Sequence, residues 1–130
     1  MPQPSHHSAN PGAAWARLPG RSALLVRGAD AVRFVDNFTT AAVARLSPGQ
    51  GTEGFFADPR GRVLALVNIL RIPEGLWLDA AAGVAAPLRA HLDRHLIRER
   101  VEFEDVTSAR DTLILVGPAA ADWLAARGVE

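Results

Sequence analysis

Residues 53–79 of the chain read EGFFADPRGRVLALVNILRIPEGLWLD, and the order of turns and apolar runs in this segment indicates the architecture. The turn residues 58–61 (DPRG) and 73–75 (PEG) separate three runs that are rich in apolar residues. Gly, Pro and Asp between short apolar runs are typical of β-hairpin connections. We therefore expect an antiparallel meander whose longest strand is Val63–Ile72.

Further elements flank this meander on both sides. Short β-type runs at residues 22–27, 101–105 and 112–116 predict additional strands. Amphipathic helices are predicted where apolar residues recur every three to four positions. The first contains Val32, Val35 and Phe38, and the second starts near Pro87 and contains Leu88, Leu92 and Leu96. A last helix is predicted after Gly117-Pro118. Because the central connections are tight hairpins, the pattern predicts an α+β fold, an antiparallel meander sheet with helices packed on one face.

The first twenty residues differ in composition from the rest of the chain. Residues 1–19 are rich in Pro, Ser, Gly and Ala and show neither helical nor strand periodicity. Segments of this composition bury too little apolar surface to order themselves. We predict a flexible leader over residues 1–20 and one domain over residues 21–130, because domains most often have about 100–150 residues.

The composition excludes several classes of function. The chain has 14 basic residues, all of them arginine, and no cysteine, which removes Schiff-base lysines, Walker lysines, thiol nucleophiles and cysteine-ligated clusters. The formal net charge is zero and the arginines are scattered, so we expect no direct nucleic-acid binding. No apolar run approaches the ~20 residues of a membrane span, and no signal peptide is visible. We therefore expect a cytoplasmic protein without membrane contact.

Two motifs have the spacing of ligand sites but lack the surrounding sequence. Residues 49–54, GQGTEG, match the dinucleotide fingerprint, yet they precede a strand rather than a helix. His91 and His95 have the spacing of a zinc-binding helix, but no third ligand is identifiable. We interpret the glycines as a loop and the histidines as a solvated helix flank, and we assign no catalytic residue and no metal ligand.

Asn68 interrupts the apolar run Val63–Ile72, which we expect to be the central strand. A buried amide must find hydrogen-bond partners. Two interpretations stay open at this point. Asn68 is either a core residue bonded to neighbouring backbone, or it faces a cleft and meets a heteroaromatic ligand.

Three segments together carry a family pattern: VRGADAVRFV at residues 26–35, TTAAV at 39–43 and FADPRGRV at 56–63. In order and spacing they resemble the opening of the folate-binding T-protein/YgfZ (GcvT/YgfZ) superfamily. Residues 113–120, LILVGPAA, resemble a later segment of the same superfamily. The resemblance implies the fold of its N-terminal domain and tetrahydrofolate as the ligand.

One pair of positions separates the two main branches of that superfamily. The aminomethyltransferase of the glycine cleavage system has an acidic pair after the hairpin glycine, and one member serves the reaction at the folate nitrogen. This chain has Ala65 and Leu66 at the matching positions, and neither can stabilise a developing cation electrostatically. The resemblance thus favours the YgfZ branch, whose members bind tetrahydrofolate and support iron–sulfur cluster assembly or repair and some tRNA modification.

The resemblance also implies a longer protein. The YgfZ signature K-G-C-[FY]-x-G-Q-E is absent from these 130 residues, and in the family it lies in the later half of the chain. We therefore expect residues 21–130 to be the N-terminal part of a YgfZ/GcvT-like domain, one wall of a folate channel that a missing C-terminal part of the same chain completes. The expected partners are folate and iron–sulfur client proteins.

By position, four residues are predicted to face the folate: Ser22, Arg62, Leu64 and Asn68. Arg62, Leu64 and Asn68 share one strand face because side chains alternate along a strand, and Arg62 could pair with a folate glutamate carboxylate. Two alternatives stay open. One is an aminomethyltransferase with a displaced acid, and the other is an interaction or scaffold domain that has lost the ligand.

Overall fold

A computed structural model describes residues 6–10 and 12–129, with side chains from residue 12 onward. The strands are β1 (His6–Asn10), β2 (Ala13–Arg17), β3 (Arg21–Arg27), β4 (Gly51–Ala57), β5 (Val63–Ile72), β6 (Gly75–Ala81), β7 (Glu102–Asp105) and β8 (Leu113–Val116). The α-helices are α1 (Ala31–Asp36), α2 (Ala85–Asp93) and α3 (Ala120–Ala125), and single 3-10 turns cover Val43–Arg45 and Thr107–Ala109. Within the described residues, none of the helices has the length and apolar character needed to cross a bilayer.

The larger of two compact units covers residues 20–109 and is built on a five-stranded sheet with the order β4-β5-β6-β3-β7. All neighbouring strands in this sheet are antiparallel. β4, β5 and β6 follow one another directly in both chain and sheet, which is the predicted meander. The expected bounds of its longest strand, Val63–Ile72, are those of β5.

One face of this sheet carries the hydrophobic core. β5 contributes Val67 and Ile69 to it, and α2 contributes Leu88 and Leu92. The largest fully buried side chains are Phe56, Leu24, Ile69, Leu76, Leu78, Leu92, Val26, Val35, Val43 and Val67. The predicted α+β class, with helices on one face of an antiparallel sheet, is confirmed.

The second unit contains the described residues of 1–19 and 110–130. Its three-stranded antiparallel sheet has the order β1-β2-β8, and α3 belongs to the same unit. Backbone hydrogen bonds extend the pairing, from the Leu18 amide to the Thr112 carbonyl (2.9 Å) and from the Ala119 amide to the Gly12 carbonyl (3.0 Å).

This second sheet corrects two predictions. Residues 6–10 and 13–17, expected in a flexible leader, form strands, and residues 110–129 belong with them rather than with residues 20–109. β2 pairs with β1 beside it in the sequence and with β8 near the other end, and neither composition nor local periodicity could reveal the pairing with β8. Residues 1–5 and 11, also in the predicted leader, lie outside the described residues.

Candidate functional site

β5 exposes a row of side chains on the side of the sheet opposite the helices. Leu64, Leu66 and Leu70 are 42%, 46% and 41% exposed, whereas Ala65 and Val67 between them are buried. We call this side the open face; it comprises Phe55 on β4, Leu64, Leu66, Asn68 and Leu70 on β5, and Trp77 and Asp79 on β6. Contiguous exposed apolar side chains are typical of ligand grooves and interaction surfaces.

Asn68 lies at the polar centre of the open face. It is opposite Asp79 on β6, and its amide nitrogen donates to Asp79 Oδ2 at 3.4 Å. The Arg21 guanidinium forms an ion pair with the same carboxylate, so the charge of Asp79 is balanced. The core interpretation of Asn68 is therefore wrong, because the side chain is exposed and its partner is a side chain rather than backbone. Its amide oxygen accepts no hydrogen bond from any residue between 12 and 129.

Ser22 does not share this surface. It is 3% exposed, on the core face of β3. Its hydroxyl donates to the Ala81 carbonyl at 2.7 Å and accepts from the Ala85 amide at 3.1 Å. Ala85 is the first residue of α2, whose N-cap residue makes no side-chain capping bond. Ser22 therefore has a structural role, because its two hydrogen bonds join the end of β6 to the start of α2.

Arg62 closes the turn between β4 and β5. Its Nε donates to Asp58 Oδ2 at 2.9 Å, while the amides of Arg60 and Arg62 donate to Asp58 Oδ1 at 2.9 and 3.0 Å. The backbone hydrogen bond from Arg62, followed by the bond from its side chain, holds the pKa of Asp58 below its ordinary value. Arg62 is therefore anchored at its Nε, with most of its guanidinium exposed to solvent.

A cavity of about 620 Å³ lies between this turn and α2. Arg62 and Leu64 both line it, so the structure brings these two predicted site residues together. Asn68 lies further along β5 and does not line the cavity. Leu64 is thus the residue that the cavity and the open face share.

His91 and His95 line the same cavity from α2 and the residues after it. Their ring centroids are 5.0 Å apart, and the ring centroid of Phe38 lies 4.8 Å from that of His95. Both imidazoles are partly buried, so the solvated-flank prediction is wrong for them. In the described part of the chain no cluster of three or more His, Cys, Asp or Glu side chains could hold a metal ion.

His91 has an unusual environment. Its Nε2 is buried without a hydrogen-bond partner among the described residues. Burial, followed by the positive charges of His95 and Arg94, lowers the pKa of His91 below its ordinary value. The imidazole is thereby shifted towards its neutral form, which can donate from one nitrogen and accept at the other.

Several residues at these two places have no local sequence signal. Arg21 and Asp79 come together only because β6 pairs with β3, and no local pattern reveals that register. The alternation of β5 did signal Leu66 and Leu70. The spacing of His91 and His95 was a signal for a shared environment, although not for a metal.

Comparisons with known proteins identify similar sequences and structures. A family model described as the GCVT N-terminal domain matches residues 20–128. The iron–sulfur cluster assembly factor IBA57 homolog, mitochondrial, of Phaeosphaeria nodorum is 34% identical over 99 residues, covering 70% of this chain and 24% of that protein. The aminomethyltransferase of Thermus thermophilus is 33% identical over 102 residues, covering 77% of this chain and 29% of that protein.

A solved structure is similar as well. The glycine cleavage system aminomethyltransferase T from Bartonella henselae aligns with a TM-score of 0.77 at 26% identity, over 92% of this chain and 33% of that chain. The chain therefore spans about a quarter to a third of the length of these similar proteins.

We expect Ser22→Ala to destabilise the fold by about 1–2 kcal/mol, because both hydrogen bonds of a buried hydroxyl disappear and the Ala85 amide loses its acceptor. Urea unfolding measures the change. Ser108→Ala, at an exposed serine, is the matched control and is expected to stay within about 0.5 kcal/mol of wild type. Equal losses in the two variants would contradict the structural role of Ser22.

We also expect Asp58→Asn to lower stability at neutral pH. The amide's one oxygen can replace Oδ1 as acceptor of the two backbone amides, but the NH2 group in place of Oδ2 cannot accept from Arg62 Nε, and the ion pair with Arg62 is lost. The folded-state pKa of Asp58 is depressed, so its contribution is complete above the unfolded pKa of about 4 and is lost as pH falls through the folded value. Thermal unfolding of both proteins from pH 7 to pH 2 should show the gap closing in acid. Glu74→Gln, in the exposed β5–β6 turn, should leave no such gap, and a pH-independent difference for Asp58→Asn would contradict the assignment.

Proposed function

The chain belongs to the GCVT N-terminal domain family, and from this premise we propose that it is part of a tetrahydrofolate-binding accessory protein of iron–sulfur cluster assembly or repair. In this proposal the open face is one wall of the folate site. A C-terminal part of the same chain, beyond these 130 residues, supplies the facing wall.

The observation that carries the proposal is the open face itself. A flat heteroaromatic ring needs apolar side chains to lie against and a few oriented polar groups to pair with its nitrogens. Leu64 and Leu66 offer the apolar surface beside Asn68, whose amide oxygen is free to accept from a ligand N–H. Leu64 and Asn68 are four residues apart, or about 13 Å along a strand, which suits a ligand of elongated shape.

Of the four residues predicted from sequence, three keep a place in this proposal. Asn68 would contact the ring system and Leu64 the part of the ligand that extends towards the β4–β5 turn. Arg62 lines the cavity together with Leu64, and its guanidinium could meet a glutamate carboxylate of the folate. Ser22 is left out, because its hydroxyl is buried and already bonded at both ends.

The two positions that carry acids in the transferase branch support the accessory role. Ala65 is buried on the core face, while Leu66 is exposed on the open face, so Leu66 is the one that could meet a ligand there. Its isobutyl group neither holds a proton nor stabilises a cation. Binding without aminomethyl transfer fits this surface best.

The remaining parts of the proposal follow from the branch. Iron–sulfur client proteins would be the partners, support of tRNA modification would follow indirectly through such clients, and the location would be cytoplasmic. Tetrahydrofolate would supply the one-carbon-carrying pteridine, while this chain's own residues bind and orient it. The similar proteins divide between both branches by name, so they support the family and leave the branch to the residues.

One observation favours a second candidate, an aminomethyltransferase with a displaced acid. Glu53 on β4 lies opposite Asn68 on β5 and is exposed. Its carboxylate has no ion pair within residues 12–129, unlike that of Asp79. Glu53 could therefore serve as the acidic group that is absent at position 66.

We expect tetrahydrofolate to bind the chain weakly, and Asn68→Leu to reduce the affinity about tenfold, since losing a ligand hydrogen bond costs about 1–1.5 kcal/mol. Isothermal calorimetry measures the affinity, and urea unfolding checks that the exposed substitution leaves the fold intact. Asn37→Leu, at an exposed asparagine in the segment after α1, is the matched control.

The outcomes separate the candidates. If Asn68→Leu leaves the affinity unchanged, Asn68 does not face the ligand. Absence of both heat and thermal shift with wild type would leave an interaction or scaffold domain as the function.

Glycine-dependent methylene transfer to tetrahydrofolate decides between the accessory protein and the transferase. For an accessory protein we expect none above background. Transfer that is present in wild type and abolished by Glu53→Gln would establish the second candidate instead. Glu102→Gln, at an exposed glutamate of β7, controls for loss of one negative charge.

A further inference from the structure

The cavity between the β4–β5 turn and α2 is lined by cationic side chains, of which the folate proposal uses only Arg62. Arg60, Arg62 and Arg94 all line it, together with the two histidines, and the only carboxylate in its lining is Asp58. We call this space the histidine cavity. Because the whole chain has a formal net charge of zero, the excess of positive charge here is a local feature.

The one carboxylate does not offset that excess. Asp58 accepts from two backbone amides and from Arg62, so its charge is already balanced within the turn. Arg60 and Arg94 form no side-chain hydrogen bond or ion pair with any described residue. Two guanidinium groups thus remain available, and guanidinium groups bind carboxylates and phosphates through paired hydrogen bonds.

The histidines add directed hydrogen-bonding groups to these charges. The ring centroids of Phe38 and His91 lie 6.3 Å apart with nearly perpendicular planes, and those of Phe38 and His95 lie 4.8 Å apart, so both imidazoles pack against Phe38. His91 Nε2 is sheltered from solvent and has no hydrogen-bond partner among the described residues. A buried polar atom of this kind costs free energy unless something bonds to it, which indicates that a ligand or water bonds to it.

Apolar side chains complete the lining of the histidine cavity. They belong to Leu64 and Ala65 of β5 and to Val84, Pro87 and Leu88 near the start of α2. The volume of about 620 Å³ lies within the roughly 300–1,000 Å³ of small-molecule sites, so there is room for more than a simple inorganic ion.

We propose that the histidine cavity binds an organic oxyanion, a molecule whose carboxylate or phosphate group meets Arg60, Arg94 and His91 while its apolar body packs on Leu64, Val84 and Pro87. A metal ion is the less suitable occupant, because guanidinium groups repel it. This inference goes beyond the folate proposal, since the groups that hold the anion are not on the open face.

The test uses two aryl oxyanions, benzoate and phenyl phosphate, with benzamide as the uncharged analogue. Calorimetry measures affinity, and NMR follows the imidazole resonances of His91. We expect at least one oxyanion to bind saturably and shift His91, and Arg94→Gln to weaken it more than tenfold, as the loss of a charge-assisted hydrogen bond predicts. Arg60→Gln is expected to act in the same direction.

Arg98→Gln is the matched control, because Arg98 is exposed just beyond α2, does not line the histidine cavity and removes the same charge. It should leave the affinity within about twofold of wild type, since an exposed remote charge contributes little. Stronger binding of the carboxylate or of the phosphate names the natural ligand class, and either supports the proposal.

Three results would overturn it: no saturable binding of either oxyanion, equal binding of the uncharged analogue, or equal weakening by Arg94→Gln and Arg98→Gln. Thermal unfolding of each variant shows that loss of binding is not loss of fold. Asn68→Leu should leave oxyanion binding unchanged, so failure here and failure of the folate proposal are separately visible.

Discussion

The burial of Ala65, Val67 and Ile69 against the helices determines the orientation of every other side chain on β5. Adjacent residues of a strand point to opposite faces, so a shift of one residue in register would send the leucines into the core and these residues to solvent. The pairing of β5 with both β4 and β6 prevents such a shift. Asn68 and Leu66 therefore face away from the core because their neighbours are packed into it.

Both candidate binding places depend on this same strand, yet they differ in electrostatics. On the open face the charge of Asp79 is balanced by Arg21, whereas the Glu53 carboxylate opposite Asn68 has no ion pair among the described residues. The histidine cavity, which Leu64 also lines, contains the guanidinium groups of Arg60 and Arg94, and neither forms an ion pair with a described residue. A near-neutral ring would favour the open face, and an anionic group would favour the histidine cavity. The two candidate sites that share β5 therefore suit different classes of ligand.

The sequence was sufficient for features that depend on local pattern. Turn residues on both sides of Val63–Ile72 predicted the meander, and the two-residue period predicted that Leu64 and Asn68 share a face. Contacts between segments that are distant in the sequence could not be predicted from local pattern. The pairing of β2 with β8 joins Trp15 to Leu115, and the task of Ser22 depends on residues about sixty positions later in the chain.

The alternation of side chains along β5 also shows which of the two positions that are acidic in the transferase branch could meet a ligand. A carboxylate at position 65 would be buried in the apolar core, where an unpaired charge is costly, whereas one at position 66 would stand on the open face. The difference from the transferase branch that bears on aminomethyl transfer is thus Leu66 rather than Ala65. Asp79 cannot simply replace the missing acid, because Arg21 already occupies its carboxylate and Asn68 bonds to it. Glu53, opposite Asn68 and without an ion pair in the described part of the chain, is the group on which a transferase function would have to depend.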